Sequence, residues 1–94
     1  VETKKRRYTI GRNAVRVGPD SWIIKGRIIG MFSIQIARIW KISQRLKSIH
    51  KLVDATAKLP AKTLILLDDG QGVLSPIAVH SIVSYFNRVK GEDE

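Results

Sequence analysis

Five nearly wholly apolar residues, Thr63-Leu64-Ile65-Leu66-Leu67, constrain this chain more than any other feature. The run is too short to cross a bilayer and shows no polar alternation. It reads as a strand buried on both faces. Asp68-Asp69-Gly70-Gln71-Gly72 follows as a hairpin turn in which glycine supplies positive φ, and Val73-Leu74-Ser75 is the returning strand.

Upstream, Tyr8 to Val17 contains alternation, with Val15 and Val17 on either side of Arg16. Gly18-Pro19-Asp20 marks a turn, because proline fixes φ and aspartate caps the bend. Ser21 to Lys25 suits a half-buried strand, and Arg27 to Phe32 continues it beyond Gly26, a glycine that signals a bend or bulge. From Gln35 the period changes: Ile36, Ile39, Ile42, Leu46 and Ile49 form the stripe of an amphipathic helix over about residues 35 to 50. Leu52 to Ala55 reads as a short strand, and residues 56–62 as a loop, because Leu59-Pro60 suits neither a helix nor a central strand. Ser75-Pro76 reads as an N-cap with proline at the first helical position. The last helix then runs to about Val89, with Ile82, Val83 and Phe86 inward and Gly91 as its stop. The fold class expected is therefore α/β (α+β). It is a small single domain with an antiparallel strand meander, a helix, a β-hairpin and a C-terminal helix. Residues 1–7 read as a flexible basic arm, 8–90 as the domain and 91–94 as an acidic tail.

Charge narrows the function. Of 94 residues, 17 are basic and 8 acidic, for a net charge of +9. Residues 1–62 hold 15 of the basic residues and only Glu2, Asp20 and Asp54 as acids. A field of one sign over most of a small chain favours encounter with a polyanion. Candidate contacts are the arm Lys4-Lys5-Arg6-Arg7 and a helical ridge of Arg38, Lys41 and Arg45, whose spacing places three cations on one side. Trp40 lies near that ridge, where it could stack on a base or meet a partner.

Catalytic parts are missing from the pattern. There is no cysteine, which excludes disulfides and thiolate zinc sites and fits a reducing cytosol. His50 and His80 have no acid at metal-ligand spacing, and Ser75 and Ser84 have no evident base beside them. Asp68-Asp69 is explained by a turn, and Asp54 by strand-end bonds to backbone amides or a neighbouring cation. The glycines form no phosphate loop. The expectation is a non-enzyme with no cofactor, no metal and no evident small-molecule ligand. Lys25, Arg27, Arg38 and Lys41 interrupt every candidate membrane span, so no membrane partner is expected and the location expected is cytoplasmic.

Leu52-Val53-Asp54-Ala55-Thr56, followed by an apolar strand, a short turn and Val73-Leu74-Ser75, resembles the RemA family of bacterial extracellular-matrix regulators. The likeness extends back through Arg27-Ile28-Ile29 to Val15-Arg16-Val17-Gly18 and forward to Phe86, about residues 14 to 86 in all. It implies a DNA-binding protein that assembles into rings and activates transcription of matrix and osmoprotection genes. By that resemblance Arg27 matches an arginine implicated in DNA contact, and Lys62 falls on another basic position. Leu59 and Pro60 stand where the family carries an adjacent arginine pair, a loss of two guanidinium groups per subunit. Lys58 and Lys62 flank that gap and, with the arm, could restore charge, though not the bidentate fork of arginine.

The function expected is an oligomeric, ring-forming transcriptional regulator that holds the phosphates of double-stranded DNA with basic residues. Two alternatives stand beside it. One is a RemA-like ring scaffold or protein-interaction module without DNA binding; the other is an RNA-binding protein using the arm with Trp22 or Trp40. Self-assembly is expected because the strands and first helix carry more large aliphatic residues than a small two-layer core needs.

Overall fold

The computed structural model describes residues 14–92, with side chains through Tyr85. Residues 1–7, the Tyr8 start of the first strand, and Asp93 and Glu94 lie outside the described residues. The elements are β1 (Ala14–Gly18), β2 (Ser21–Ile24), a 3-10 turn (Lys25–Arg27), β3 (Ile28–Ser33), α1 (Ala37–Ser48), β4 (Leu52–Asp54), β5 (Thr63–Leu67), β6 (Gly72–Ser75) and α2 (Val79–Glu92). The α+β class expected from the sequence is the one observed.

β5 is interior to a four-stranded sheet of order β3-β5-β6-β4. It pairs antiparallel with β3, from Ile28 opposite Leu67 to Ser33 opposite Thr63, and antiparallel with β6. The side chains of its apolar run divide between the two faces, as strand geometry requires. Ile65 and Leu67 join Val15, Val17, Ala55, Val73 and Ile82 in the main core. Leu64 points the other way, toward α1: a Cβ at Gly72 would touch Cδ1 of Leu46, Leu64 and Leu52 at 2.6, 3.1 and 3.4 Å. Three layers result, with the β1–β2 hairpin and α2 on one face of the sheet and α1 on the other.

The 3-10 turn containing Gly26 separates two sheets. β1 and β2 form an antiparallel hairpin of their own, while β3 leaves them to pair with β5. β4 joins the sheet parallel to β6, in a register from Leu52 opposite Gly72 to Asp54 opposite Leu74. That parallel pairing has no local signature in a three-residue strand.

Three sequence expectations need correction. The last helix begins at Val79 and continues through Gly91 to Glu92, so Ser75-Pro76 is not its start. Ser75 closes β6, and its hydroxyl accepts from the Ile77 amide at 3.0 Å while donating to the Val17 carbonyl at 2.5 Å. Residues 76–78 carry the chain from the sheet to the helix. Secondly, Val83 is not inward: it is 38% exposed while Ile82 is buried. Thirdly, the inner face of α1 centres on Ser43, its one fully buried residue, with Ile39 and Leu46 half-buried beside it. Ser43 can be buried because its hydroxyl donates to the Trp40 carbonyl at 2.6 Å, and its small side chain lets the helix approach the sheet. Ile36, Ile42 and Ile49 are left facing out.

Candidate nucleic-acid interface

Sheet topology decides where the basic residues fall. Because β3 and β5 are antiparallel, Arg27, just before β3, lies at the end of the ladder where β5 finishes. Lys62, just before β5, lies at the opposite end, where its carbonyl accepts from the Ile34 amide at 3.0 Å. At about 3.3 Å per residue, the six residues of β3 hold these two cations roughly 20 Å apart along the strand. Duplex DNA carries one charge per strand for about every 3.4 Å of axis, so cations at this spacing are too far apart to share one phosphate.

Lys58 belongs with Lys62. β4 runs parallel to β6, so the loop after Asp54 emerges at the Lys62 end. Lys58 sits there in a turn closed by the Leu59 amide on the Thr56 carbonyl, with Ala57 and Lys58 both at positive φ, 52° and 72°. Upstream of the turn, Asp54 Oδ1 accepts from the Thr56 amide at 2.9 Å and from the Thr56 hydroxyl at 2.5 Å. The hydroxyl and then the amide hold the Asp54 carboxyl below the ordinary range. Strand-end bonding, expected of Asp54 from the sequence, is what the structure shows.

α1 starts near the Lys62 end, after β3, and finishes near the Arg27 end, before β4. Arg38, Lys41 and Arg45 are exposed on it and so form a lengthwise row over the outer layer. The four arm cations, Lys4, Lys5, Arg6 and Arg7, lie outside the described residues. No single patch collects the candidates. Lys58 and Lys62 share one end, Arg27 stands at the other, and the α1 row runs between the ends on one face.

Two features near these residues were not legible in the sequence. At the Lys62 end an open cleft of about 410 Å³ is lined by Ser33, Gln35, Lys62, Ala78, Val79 and His80, so His80 is brought beside Lys62 by the start of α2. At the other end Arg27 is paired. Its Nε donates to Asp68 Oδ1 at 3.2 Å and its Nη2 to Asp69 Oδ2 at 2.7 Å, both in the β5–β6 turn. The bond to Asp68, then the charge of Asp69, raises the guanidinium above its usual range. Asp69 is lowered first by the Gln71 amide, then by the positive charge of Arg27. Residues 41 and 42 apart in sequence give no local sign of such a pair.

Among the described residues, no helix is long and apolar enough to cross a membrane. The sequence model of the RemA-like family, described as "Extracellular matrix regulatory protein A-like", matches residues 14–86, which span β1 through most of α2. The chain belongs to the RemA-like family. Relatives from Bacillus cytotoxicus, Bacillus mycoides and Bacillus cereus, each named "Putative regulatory protein", are 32% identical over 73 residues, covering 78% of this chain and 84% of theirs. Family and relatives alike point to a regulatory protein. In this RemA-like chain the loop residues Leu59 and Pro60 are both exposed, Leu59 by 51%.

Proposed function

We propose that this RemA-like regulator binds double-stranded DNA as a ring-forming homo-oligomer and regulates transcription from the cytoplasm, without an enzymatic step. The observation that carries the reading is the placement of exposed cations. Arg27 stands at one end of the sheet, Lys58 and Lys62 at the other, and Arg38, Lys41 and Arg45 lie lengthwise between them. A row of this length suits a backbone tracked over several phosphates better than a compact anion site. Repetition around an oligomer would multiply each contact.

Self-assembly has its own support. Eleven large apolar side chains among the described residues are at least 37% exposed, including Ile29 at 69%, Ile24 at 56% and Trp40 at 50%. A chain of 94 residues gains stability by covering such surface, and closed symmetric assemblies are the ordinary way to cover it.

Fluorescence anisotropy on duplex DNA across a salt series, with light scattering of the free protein, tests both parts. The expected result is a particle several chains in mass and an affinity that falls steeply with salt. No binding at low salt would sink the DNA reading, and a monomer at micromolar concentration would sink the ring. Leu59 and Pro60 favour a second reading, a RemA-like scaffold whose exposed loop meets another protein. Under it the particle remains oligomeric while DNA fails to bind at any salt concentration.

A further inference from the structure

Arg27 is the arginine that the DNA reading most needs, yet its guanidinium already has an anionic partner. The edge formed by Nε and Nη2 is one with which arginine forks a carboxylate or phosphate. Here Asp68 and Asp69 occupy that edge. The arrangement is built rather than incidental. The Asp68 amide donates to the carbonyl of Arg27 itself at 2.8 Å, which ties the hairpin turn to the base of the arginine. The other Asp69 oxygen, Oδ1, accepts from the Gln71 amide at 3.0 Å, a second hold on the carboxylate that does not involve Arg27. Gly70, at φ +87°, makes the turn possible.

Charge strengthens the case. Only Asp20 and Asp54 are acidic between residues 14 and 67, and the next two acids in the chain land on this one guanidinium. Two carboxylates thus face one guanidinium where the field of the chain is otherwise positive. A phosphate approaching that edge meets a filled site of its own chemistry. The pair can nonetheless open, since its side chains are 44%, 54% and 44% exposed.

We infer that Asp68 and Asp69 act as an internal phosphate mimic that holds Arg27 away from DNA and so sets both affinity and salt dependence. The inference rests on the DNA-binding reading. Arg27 contributes to the complex only after exchanging two carboxylates for a phosphate, so most of its counterion release is already spent within the fold.

The test uses the full chain, a duplex DNA probe and a salt series, with D69N, D20N, R27A and R27A/D69N measured beside the wild type. The side-chain amide of D69N keeps an oxygen for the Gln71 amide, so the turn survives while the charge goes. D20N removes the same charge from an exposed turn that does not touch Arg27. D69N is expected to tighten binding about five-fold at low salt and to steepen the slope of log K against log salt by up to about 0.9 per freed contact. D20N is expected to gain less, with no change of slope, and R27A/D69N to match R27A apart from the gain seen with D20N. The inference is overturned if D69N gains no more than D20N, if its full gain persists without Arg27, or if it weakens binding, which would make the acids positioning groups. In those cases the wild type still binds DNA and the wider reading stands. Absence of binding by the wild type even at low salt overturns the wider reading and the inference with it.

Discussion

The Ser75 hydroxyl donates to the Val17 carbonyl at 2.5 Å across 58 residues of chain, joining the β1–β2 hairpin to the last strand of the main sheet. The same oxygen accepts from the Ile77 amide, and Ser75 has no exposed surface. One atom thus serves a donor and an acceptor where water cannot replace it. Ser75→Ala strands both partners, and a buried unsatisfied group costs about 1–3 kcal/mol, so a loss of about 2 kcal/mol is expected. For a domain of this size that lowers Tm by roughly 8–16 °C. Calorimetry showing an unchanged Tm would mean that the hairpin does not depend on this link.

Gly18 makes the companion prediction. A Cβ there would collide with the Ala55 carbonyl oxygen and lie 3.3 Å from the Ala55 carbonyl carbon, both backbone atoms that cannot swing aside. Gly18→Ala therefore pushes β1 off the end of β4, with an overpacking cost of about 1–3 kcal/mol. Gly26→Ala is the control, because its Cβ would meet nothing within 4 Å. Chemical denaturation should show a lower midpoint for the first variant and little change for the second. Equal effects would place the requirement elsewhere.

These contacts show where a sequence stops informing. Thr63 to Leu67 was legible as a doubly buried strand because its composition and length admit little else, and the turn after it because glycine chemistry is local. The helix over α1 was legible from its period. Its inward face was not, because Ser43 satisfies its hydroxyl within the helix and so competes with Ile42 for the close approach. The start of α2 was misplaced for a related reason. Ser75-Pro76 has the chemistry of a helix start, but the Thr63 hydroxyl also donates to the Ile77 carbonyl at 2.6 Å, and these long-range bonds hold the segment extended beside the end of the sheet. Of the candidate site, residue types were legible and neighbours were not. The Arg27–Asp69 pair and the meeting of Lys62 with His80 depend on strand order, which local pattern does not encode.

Acid sensitivity should follow from Asp54. Its pKa lies below the ordinary value because its carboxylate accepts the Thr56 hydroxyl and amide. A carboxyl whose folded pKa is depressed contributes stability that is fully present above the unfolded value, about 3.9, and is lost as pH falls through the folded value. Asp54→Asn is expected to melt below the wild type at neutral pH, with the gap closing below about pH 4. A gap that stays constant from pH 7 to pH 2 would show that the charge contributes nothing. The carboxylate is largely exposed, so the effect is small but has a definite sign.

The turn at Ala57 and Lys58 sets stability against binding. Both residues hold positive φ, 52° and 72°, a pairing that asparagine and glycine favour and that costs an L side chain roughly 1–2 kcal/mol. Glycine at either position relieves that strain, at the expense of a freer unfolded chain, and a net gain of about 1 kcal/mol is expected for Ala57→Gly. Lys58→Gly should gain a similar amount, yet it also removes a candidate cation beside Leu59 and Pro60. Its affinity for DNA should fall and its salt slope flatten by up to about 0.9 per contact, while Ala57→Gly leaves both unchanged. Thermal melts and anisotropy on the two variants separate the effects. If Lys58→Gly gains stability and loses no affinity, Lys58 plays no part in the proposed DNA contact, which would then fall to the other candidate cations.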